Sequence, residues 1–166
     1  MPDERVAIFP GSFDPITLGH VDVVGRATAL FDRVIIAVLV NAAKSPWFSV
    51  EERIALIRAS VAGIERVEVE AYGGLRVDFV RARRAVAVVR GLRTAAEFSD
   101  EWQIALTNRH LNPACETVFV MPSAAHLFVS SRLVREVASH GGSLDGLVPV
   151  PVSSALAARR TAGGAR

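Results

Sequence analysis

Residues 5–20 read RVAIFPGSFDPITLGH: a short apolar run, a turn, and the beginning of a second apolar segment. Residues 5–9 have the composition of a buried strand, which Pro10-Gly11 ends. Gly19 and His20 stand where the next periodic segment, about residues 19–30, predicts that a helix begins. The stretch fits neither the Walker A pattern nor the dinucleotide fingerprint. It therefore predicts a strand–turn–helix unit that is neither of these two nucleotide-binding motifs.

The rest of the chain repeats this order of apolar run and helical segment. Further strands are predicted at 34–40, 67–70, 86–89 and 117–121, and further helices at about 49–61, 75–83, 95–111 and 130–139. Mostly continuous rather than alternating apolar runs are typical of a mostly parallel sheet covered on both faces. We expect a single-domain, Rossmann-like α/β fold with five strands over residues 1–156. Residues 157–166, rich in Ala, Arg and Gly, are expected to form a flexible tail.

The composition argues against several classes of protein. The 166 residues suffice for one domain with a full core. The lone Cys115 excludes an intramolecular disulfide framework and a four-cysteine metal site, and it favours a reducing, cytoplasmic setting. A formal net charge of +2 is too small to imply nucleic acid. We also expect no membrane span and no secretory signal, because no long apolar stretch occurs and the N-terminus is acidic.

A parallel sheet opens all loops from the carboxyl ends of its strands on one edge, where ligands bind. The residues that follow the predicted strands are mainly glycines, hydroxyls and cations, the groups that bind phosphate. They are Gly11, Ser12, His20, Asn41, Lys44, Gly73, Gly74, Arg90, Gly91, Arg93, Pro122, Ser123, Ser130 and Ser131.

Three motifs on this edge each have a structural alternative. Gly19-His20 can present a backbone and a ring to a phosphate, or it can be a tight turn with an incidental histidine. The two arginines of residues 90–93 can bind a polyphosphate bidentately, or they can be solvated surface. Ser130-Ser131 can bind phosphates, or they can cap a helix.

Taken together, the motifs resemble the phosphopantetheine adenylyltransferase family of the cytidylyltransferase-like nucleotidyltransferase superfamily. The run from Gly11 to His20 matches the first superfamily motif, and Ser130-Ser131 match the second. The resemblance covers roughly residues 5–156. It is carried by Gly11-Ser12-Phe13-Asp14-Pro15-Ile16-Thr17, Gly19-His20, Lys44, Glu51-Glu52-Arg53, Arg90-Gly91-Leu92-Arg93, Asn108-Arg109-His110 and Ser130-Ser131.

The resemblance implies transfer of AMP from ATP to 4′-phosphopantetheine, giving dephospho-coenzyme A and pyrophosphate. The catalytic residues would be His20, Lys44 and Arg93. Those that bind ATP would be Ser12, Phe13, His20, Gly91, Leu92, Arg93, Glu101, His126, Leu127, Phe128, Val129, Ser130, Ser131 and Arg132. Those that bind the acceptor would be Ser12, Lys44, Leu75, Arg76, Arg90 and Asn108.

Three positions depart from the family's pattern. Arg132 replaces a hydroxyl residue, Asp100 an aromatic residue and Arg76 an apolar residue. The resemblance also implies a homohexamer and a Mg²⁺ cofactor held by substrate phosphates rather than by a protein ligand motif. Two other interpretations stay open: a related transferase with another acceptor, and a nucleotide-binding regulator without catalysis.

Overall fold

Five parallel strands form the centre of the protein in the computed structural model, which describes residues 4–40 and 45–163. The strands lie in the order β3-β2-β1-β4-β5, and every strand pair is parallel. Their bounds are Val6–Gly11 (β1), Arg33–Leu39 (β2), Val67–Tyr72 (β3), Ala87–Gly91 (β4) and Glu116–Val120 (β5). The predicted five-stranded, single-domain α/β fold is confirmed.

Six α-helices and one 3₁₀ turn connect and follow these strands in the described part of the chain. The helices are Leu18–Thr28 (α1), Val50–Ser60 (α2), Arg76–Ala82 (α3), Ala95–Leu111 (α4), Ser131–Ser139 (α5) and Val150–Gly163 (α6), and the 3₁₀ turn is Ala124–His126. None of the described helices is long and apolar enough to cross a membrane.

The core divides into two clusters because successive side chains of a strand point to opposite faces. Ala7 and Phe9 of β1 face the larger cluster, with residues of α1, α2, α5 and α6. Val6 and Ile8 face the smaller cluster, with Val80 of α3. Helix α4 contacts α3 and β5. Helices therefore cover both faces, and the carboxyl edge remains for the loops.

Helix α6 was not predicted from the sequence. It begins just after Pro149 and contains Pro151 in its first turn, where a missing N–H is tolerated. Its Val152 and Leu156 lie in the larger core cluster. Tertiary packing therefore stabilises a helix whose local sequence has a low helix propensity. The division into a domain of residues 1–156 and a flexible tail of 157–166 stays a prediction.

Candidate active site

The main cavity opens at the carboxyl ends of β1 and β4 and has a volume of about 440 Å³. The chain crosses from one side of β1 to the other between these strands, and such a switch point is the usual ligand site of an open α/β sheet. Most of the predicted site residues lie there. The lining includes Ser12, Phe13, Gly19, His20, Arg90, Gly91, Arg93, Glu97, Asp100, Glu101, Val129, Ser130, Ser131 and Arg132.

The ring of His20 is held by a capping box at the start of α1. The Thr17 N–H donates to Nδ1 of His20 over 3.1 Å, and the His20 N–H donates to the Thr17 hydroxyl oxygen over 3.3 Å. Phe13 packs edge-on against the ring, with 5.1 Å between the centroids. Because Nδ1 accepts a hydrogen bond, a neutral His20 carries its proton on Nε2.

His20 is neutral at physiological pH. Burial lowers its pKa to about 4, and the positive charges of Arg93 and Arg90 act in the same direction. A neutral imidazole with its proton on Nε2 is a hydrogen-bond donor. The site therefore has a fixed neutral donor, which suits charge that appears on an oxygen during a reaction.

The turn before α1 is tightly built around Phe13. This residue has a φ of +47°, in the left-handed region. A Cβ atom added at Gly11 would lie 2.9 Å from Cζ of the Phe13 ring. Only glycine at position 11 therefore lets the ring lie beside His20.

The two arginines of the second motif lie on the cavity wall, and both are paired with carboxylates of α4. Arg90 donates through Nε to Glu101 over 2.7 Å and through Nη1 to the Pro10 carbonyl over 2.6 Å. Arg93 donates to Glu97 and, over 2.8 Å, to the Val129 carbonyl. The carbonyls anchor the guanidinium groups to the sheet edge. Binding of a polyphosphate by this pair stays a prediction.

Glu97 is a site residue that the sequence analysis missed. It lies four residues before Glu101, so both carboxylates project from one face of α4. That spacing, just after the two arginines, was the signal that could have identified it.

Ser130 caps helix α5, as the structural alternative for this motif proposed. Its hydroxyl accepts from the Leu133 N–H over 3.1 Å. The Ser131 hydroxyl donates to the Pro15 carbonyl over 2.8 Å and so joins α5 to the first motif. Both serines nevertheless line the main cavity together with Arg132. Among the side chains described, Arg132 makes no ion pair with Glu136.

The predicted acceptor residues are more dispersed. Lys44 lies outside the described residues. Leu75 is exposed just before α3, and Asn108 is buried in α4. Asn108 lines a separate cavity of about 340 Å³ that shares Asp100 with the main cavity. Within the part of the chain that the structure covers, Arg76 Nε and Nη1 and Asn108 Nδ2 are buried without a hydrogen-bond partner. Their role in binding an acceptor stays a prediction.

The remaining predicted ATP residues belong to the segments after β4 and β5. The Leu92 N–H donates to the Val120 carbonyl over 3.0 Å, which ties these two segments together. His126 ends the 3₁₀ turn, with a buried Nδ1 that has no described partner. Leu127 follows it half-buried, and Phe128 is exposed. These four residues are not among those that line the main cavity, although their chain neighbours Pro122 and Val129 are.

A second cavity of about 350 Å³ adjoins the main one and shares Ser12, Ser131 and Arg132 with it. Its other walls include Asp14, Arg53 and Arg135, none of which was singled out as a site residue from the sequence. No cluster of three or more His, Cys, Asp or Glu side chains that could hold a metal occurs within residues 4–40 and 45–163.

Comparisons with known proteins identify the family of the chain. The model of the cytidylyltransferase-like family matches residues 8–137. A phosphopantetheine adenylyltransferase of Thioalkalivibrio sulfidiphilus is 47% identical over 154 residues, covering 93% of this chain and 97% of the relative. One of Anaeromyxobacter sp. (strain K) is 51% identical over 152 residues, covering 92% and 93%. One of Synechococcus sp. is 52% identical over 147 residues, covering 89% and 92%.

A solved structure from Vibrio parahaemolyticus, described as a nicotinate-nucleotide adenylyltransferase, has the same fold. The TM-score is 0.72 at 17% identity, with 93% of this chain and 99% of the other covered. At that identity the likeness concerns the fold alone, whereas the sequence relatives are close to half identical over nearly their whole length. The chain belongs to the cytidylyltransferase-like family and, within it, to the phosphopantetheine adenylyltransferases.

Proposed function

We propose that this protein transfers AMP from ATP to 4′-phosphopantetheine, reversibly, giving dephospho-coenzyme A and pyrophosphate in coenzyme A biosynthesis. The observation that carries the proposal is the juxtaposition of a neutral, fixed His20 with Arg90 and Arg93 at the sheet's switch point. The family of the chain supports the choice of substrates. Use of ATP fits the cytoplasmic setting expected from the sequence.

The acceptor needs no catalytic base. Its phosphate monoester has a second pKa of about 6, so at pH 7 it is largely a dianion. One acceptor oxygen forms a bond to the α-phosphorus of ATP while the bond from that phosphorus to the β-phosphate bridging oxygen breaks. The main barrier is electrostatic, because two anions must meet in line.

The residues of the main cavity lower that barrier. The Nε2–H of His20 donates to an α-phosphate oxygen, and the bond strengthens as negative charge grows there. Arg93, anchored by the Val129 carbonyl, neutralises charge on the ATP side. Arg90, anchored by the Pro10 carbonyl, does the same for the acceptor phosphate together with Lys44 and Ser12. Catalysis here consists of positioning and neutralisation.

Mg²⁺ is the proposed cofactor, held by ATP phosphates and water. The cavity wall carries Glu97, Asp100 and Glu101, and two of these carboxylates are paired with arginines. This donor set fits an ion that arrives with its substrate, since Mg²⁺ usually keeps several waters and phosphate ligands. When bound, it would neutralise charge on the polyphosphate.

We also propose that the protein works as a homohexamer, as the family resemblance implies, with helix α4 as an interface between subunits. Asn108 is the one buried residue of its 17. Phe98, Trp102, Leu106 and Leu111 are each 46–51% exposed. Phe98, Trp102 and Leu106 follow one another at four-residue spacing and so share one face of the helix, and an exposed apolar face is typical of a protein interface. Sedimentation of the wild type and of Trp102→Glu tests this: we expect a hexamer that the substitution dissociates, and a wild-type monomer would contradict it.

The function is tested by pyrophosphate release with Mg²⁺, ATP and one acceptor at a time. We expect release with 4′-phosphopantetheine and little with nicotinamide mononucleotide. Preference for the mononucleotide, or for a phosphorylated alcohol with CTP, would assign another acceptor. Nucleotide binding without turnover on any acceptor would identify a regulator instead.

A further inference from the structure

Residues 121–129 form the connection between β5 and α5. Two of them, Pro122 and Val129, line the main cavity. The Leu92 N–H donates to the last carbonyl of β5 over 3.0 Å, just before the connection begins. At its other end, Arg93 donates to the Val129 carbonyl over 2.8 Å. Both ends of the β5–α5 connection are therefore joined to the loop that follows β4.

Helix α1 holds the middle of the β5–α5 connection. Oδ2 of Asp22 accepts from the Ser123 N–H over 2.7 Å, and these residues are 101 positions apart in the chain. A Cβ atom added at Gly19 would lie 3.4 Å from the His126 carbonyl oxygen, so the 3₁₀ turn is in contact with the first turn of α1. Gly19 and Asp22 are three residues apart and share one face of the helix. That face therefore supports the connection.

Asp22 is a charged acceptor at neutral pH. Its carboxylate pairs with Arg26, one turn further along α1, over 3.0 Å. Burial opposes its ionisation, but the hydrogen bond from the Ser123 N–H and the pairing with Arg26 outweigh burial, and the pKa of Asp22 lies below its ordinary value. A hydrogen bond to an ionised acceptor is stronger than one between neutral groups. The link between Asp22 and Ser123 is therefore a strong one.

We propose that Asp22 is a positioning residue that sets the affinity for ATP. It acts through the Ser123 N–H, by holding the β5–α5 connection against α1 and so fixing the cavity wall at Pro122. The inference rests on the proposed function, in which Arg93, anchored by the Val129 carbonyl, faces ATP. The residues proposed to bind the acceptor phosphate lie on other segments, so affinity for the acceptor depends little on Asp22.

The first test compares loss of the Asp22 hydrogen bond with loss of the Arg26 ion pair. In Asp22→Ala the Ser123 N–H loses its acceptor, and we expect the dissociation constant for ATP to rise about tenfold. The constant for 4′-phosphopantetheine should change by less than about threefold. In Arg26→Gln the carboxylate still accepts from Ser123, so both constants should stay unchanged. Titration calorimetry with each ligand measures them, and equal losses for the two ligands in Asp22→Ala would overturn the inference.

Asp22→Asn tests whether the hydrogen bond or the charge is responsible. The amide oxygen of asparagine still accepts from the Ser123 N–H, although the negative charge is gone. We expect the dissociation constant for ATP to stay within about threefold of the wild-type value. An Asp22→Asn protein that binds ATP as weakly as Asp22→Ala would contradict a route through Ser123.

Ser123 offers a second way to remove the same hydrogen bond. Its φ of −60° suits proline, which has no N–H, and Ser123→Ala is the matched control that keeps the N–H. Ser123→Pro should weaken ATP about as much as Asp22→Ala does, and the double variant should be little weaker than either single one. Additive effects, or equal weakening in Ser123→Ala and Ser123→Pro, would overturn the inference.

The possible outcomes separate this inference from the proposed function. If Asp22→Ala does not fold, Ser123→Pro and Ser123→Ala provide the test: a selective loss of ATP affinity in Ser123→Pro supports the inference, and an equal loss for both ligands overturns it. If the wild type binds ATP but does not turn over 4′-phosphopantetheine, the proposed function fails and the ATP titrations still decide the role of Asp22. Normal turnover with an unchanged ATP affinity in Asp22→Ala overturns the positioning role alone.

Discussion

Helices α1 and α4 border the same cavity, yet one is built into the core and the other is exposed. Helix α1 buries five of its 11 residues and begins with a capping box that fixes His20. Helix α4 buries Asn108 alone, and its Glu97 and Glu101 hold Arg93 and Arg90 through ion pairs. The group proposed to act on the transition state is thus held by a capping box and core packing, while the groups proposed to bind phosphates are paired with carboxylates of a more exposed helix.

This contrast predicts the largest effect for His20. His20→Ala should lower kcat by about a hundredfold or more with smaller changes in KM, because its donor acts on charge that appears only in the transition state. Steady-state kinetics measure both constants, and His110→Ala, an exposed histidine on α4, is the control. A near-normal kcat would remove His20 from the mechanism.

Lys44 and Arg90 should affect the affinity for a substrate rather than kcat. Lys44→Ala and Arg90→Ala should each weaken 4′-phosphopantetheine about tenfold more than ATP, because both cations are proposed to bind the acceptor phosphate. Titration calorimetry with each ligand measures this, and Arg109→Ala, which removes an exposed α4 ion pair, should change neither affinity. Equal loss for both ligands would show that the two cations do not belong to the acceptor side.

Substitution of Arg132 should have a smaller effect, on the affinity for ATP. A cation in the first turn of α5 opposes the helix dipole, and no described pair with Glu136 offsets this cost. We expect ATP to be its partner, so Arg132→Ser should weaken ATP a few-fold, by a margin that shrinks at high salt. Glu136→Gln should leave ATP affinity unchanged. Identical dissociation constants for wild type and Arg132→Ser at low salt would exclude the contact.

The rigid setting of His20 also predicts a modest pH effect on stability. Its pKa falls from 6.5 to about 4 on folding, so between these values the unfolded chain binds a proton that the folded chain does not. The free energy of unfolding should therefore fall as the pH is lowered through this window. Urea unfolding at pH 7, 5.5 and 4.5 should show wild type losing stability relative to His20→Gln. A difference that is constant with pH would contradict the lowered pKa.

The part of the site that carries His20, at the start of α1, could largely be predicted from the sequence. Residues 5–20 predict both the first strand and the position of His20, because a strand, a turn and a helix follow each other within 16 residues. Strand order and the switch point then bring Arg90 and Arg93 beside it. The sequence pattern is sufficient to predict site residues that are close to one another in the chain or lie at the ends of strands.

The rest depends on contacts that no local pattern contains. Asp14 binds residues 33 and 34 positions away, and Arg53 binds a carbonyl 41 positions away. Glu97 was missed although Arg93 is only four residues away, because an acidic residue in the first turn of a helix is ordinary and does not by itself indicate a site. Helix α6 was missed because its prolines and terminal Ala-Arg-Gly composition argue against a helix, which packing against α2 and α5 offsets.

The central claim is that a neutral His20 donates a hydrogen bond and that no protein base activates the acceptor. The most direct test is the pH dependence of kcat/KM for 4′-phosphopantetheine between pH 5 and 8.5, in wild type and His20→Gln. We predict one acidic limb near pH 6, set by the acceptor's own phosphate, at the same pH in both proteins and with a lower plateau in the variant. A limb that shifts or disappears in His20→Gln would make His20 the base and contradict the account.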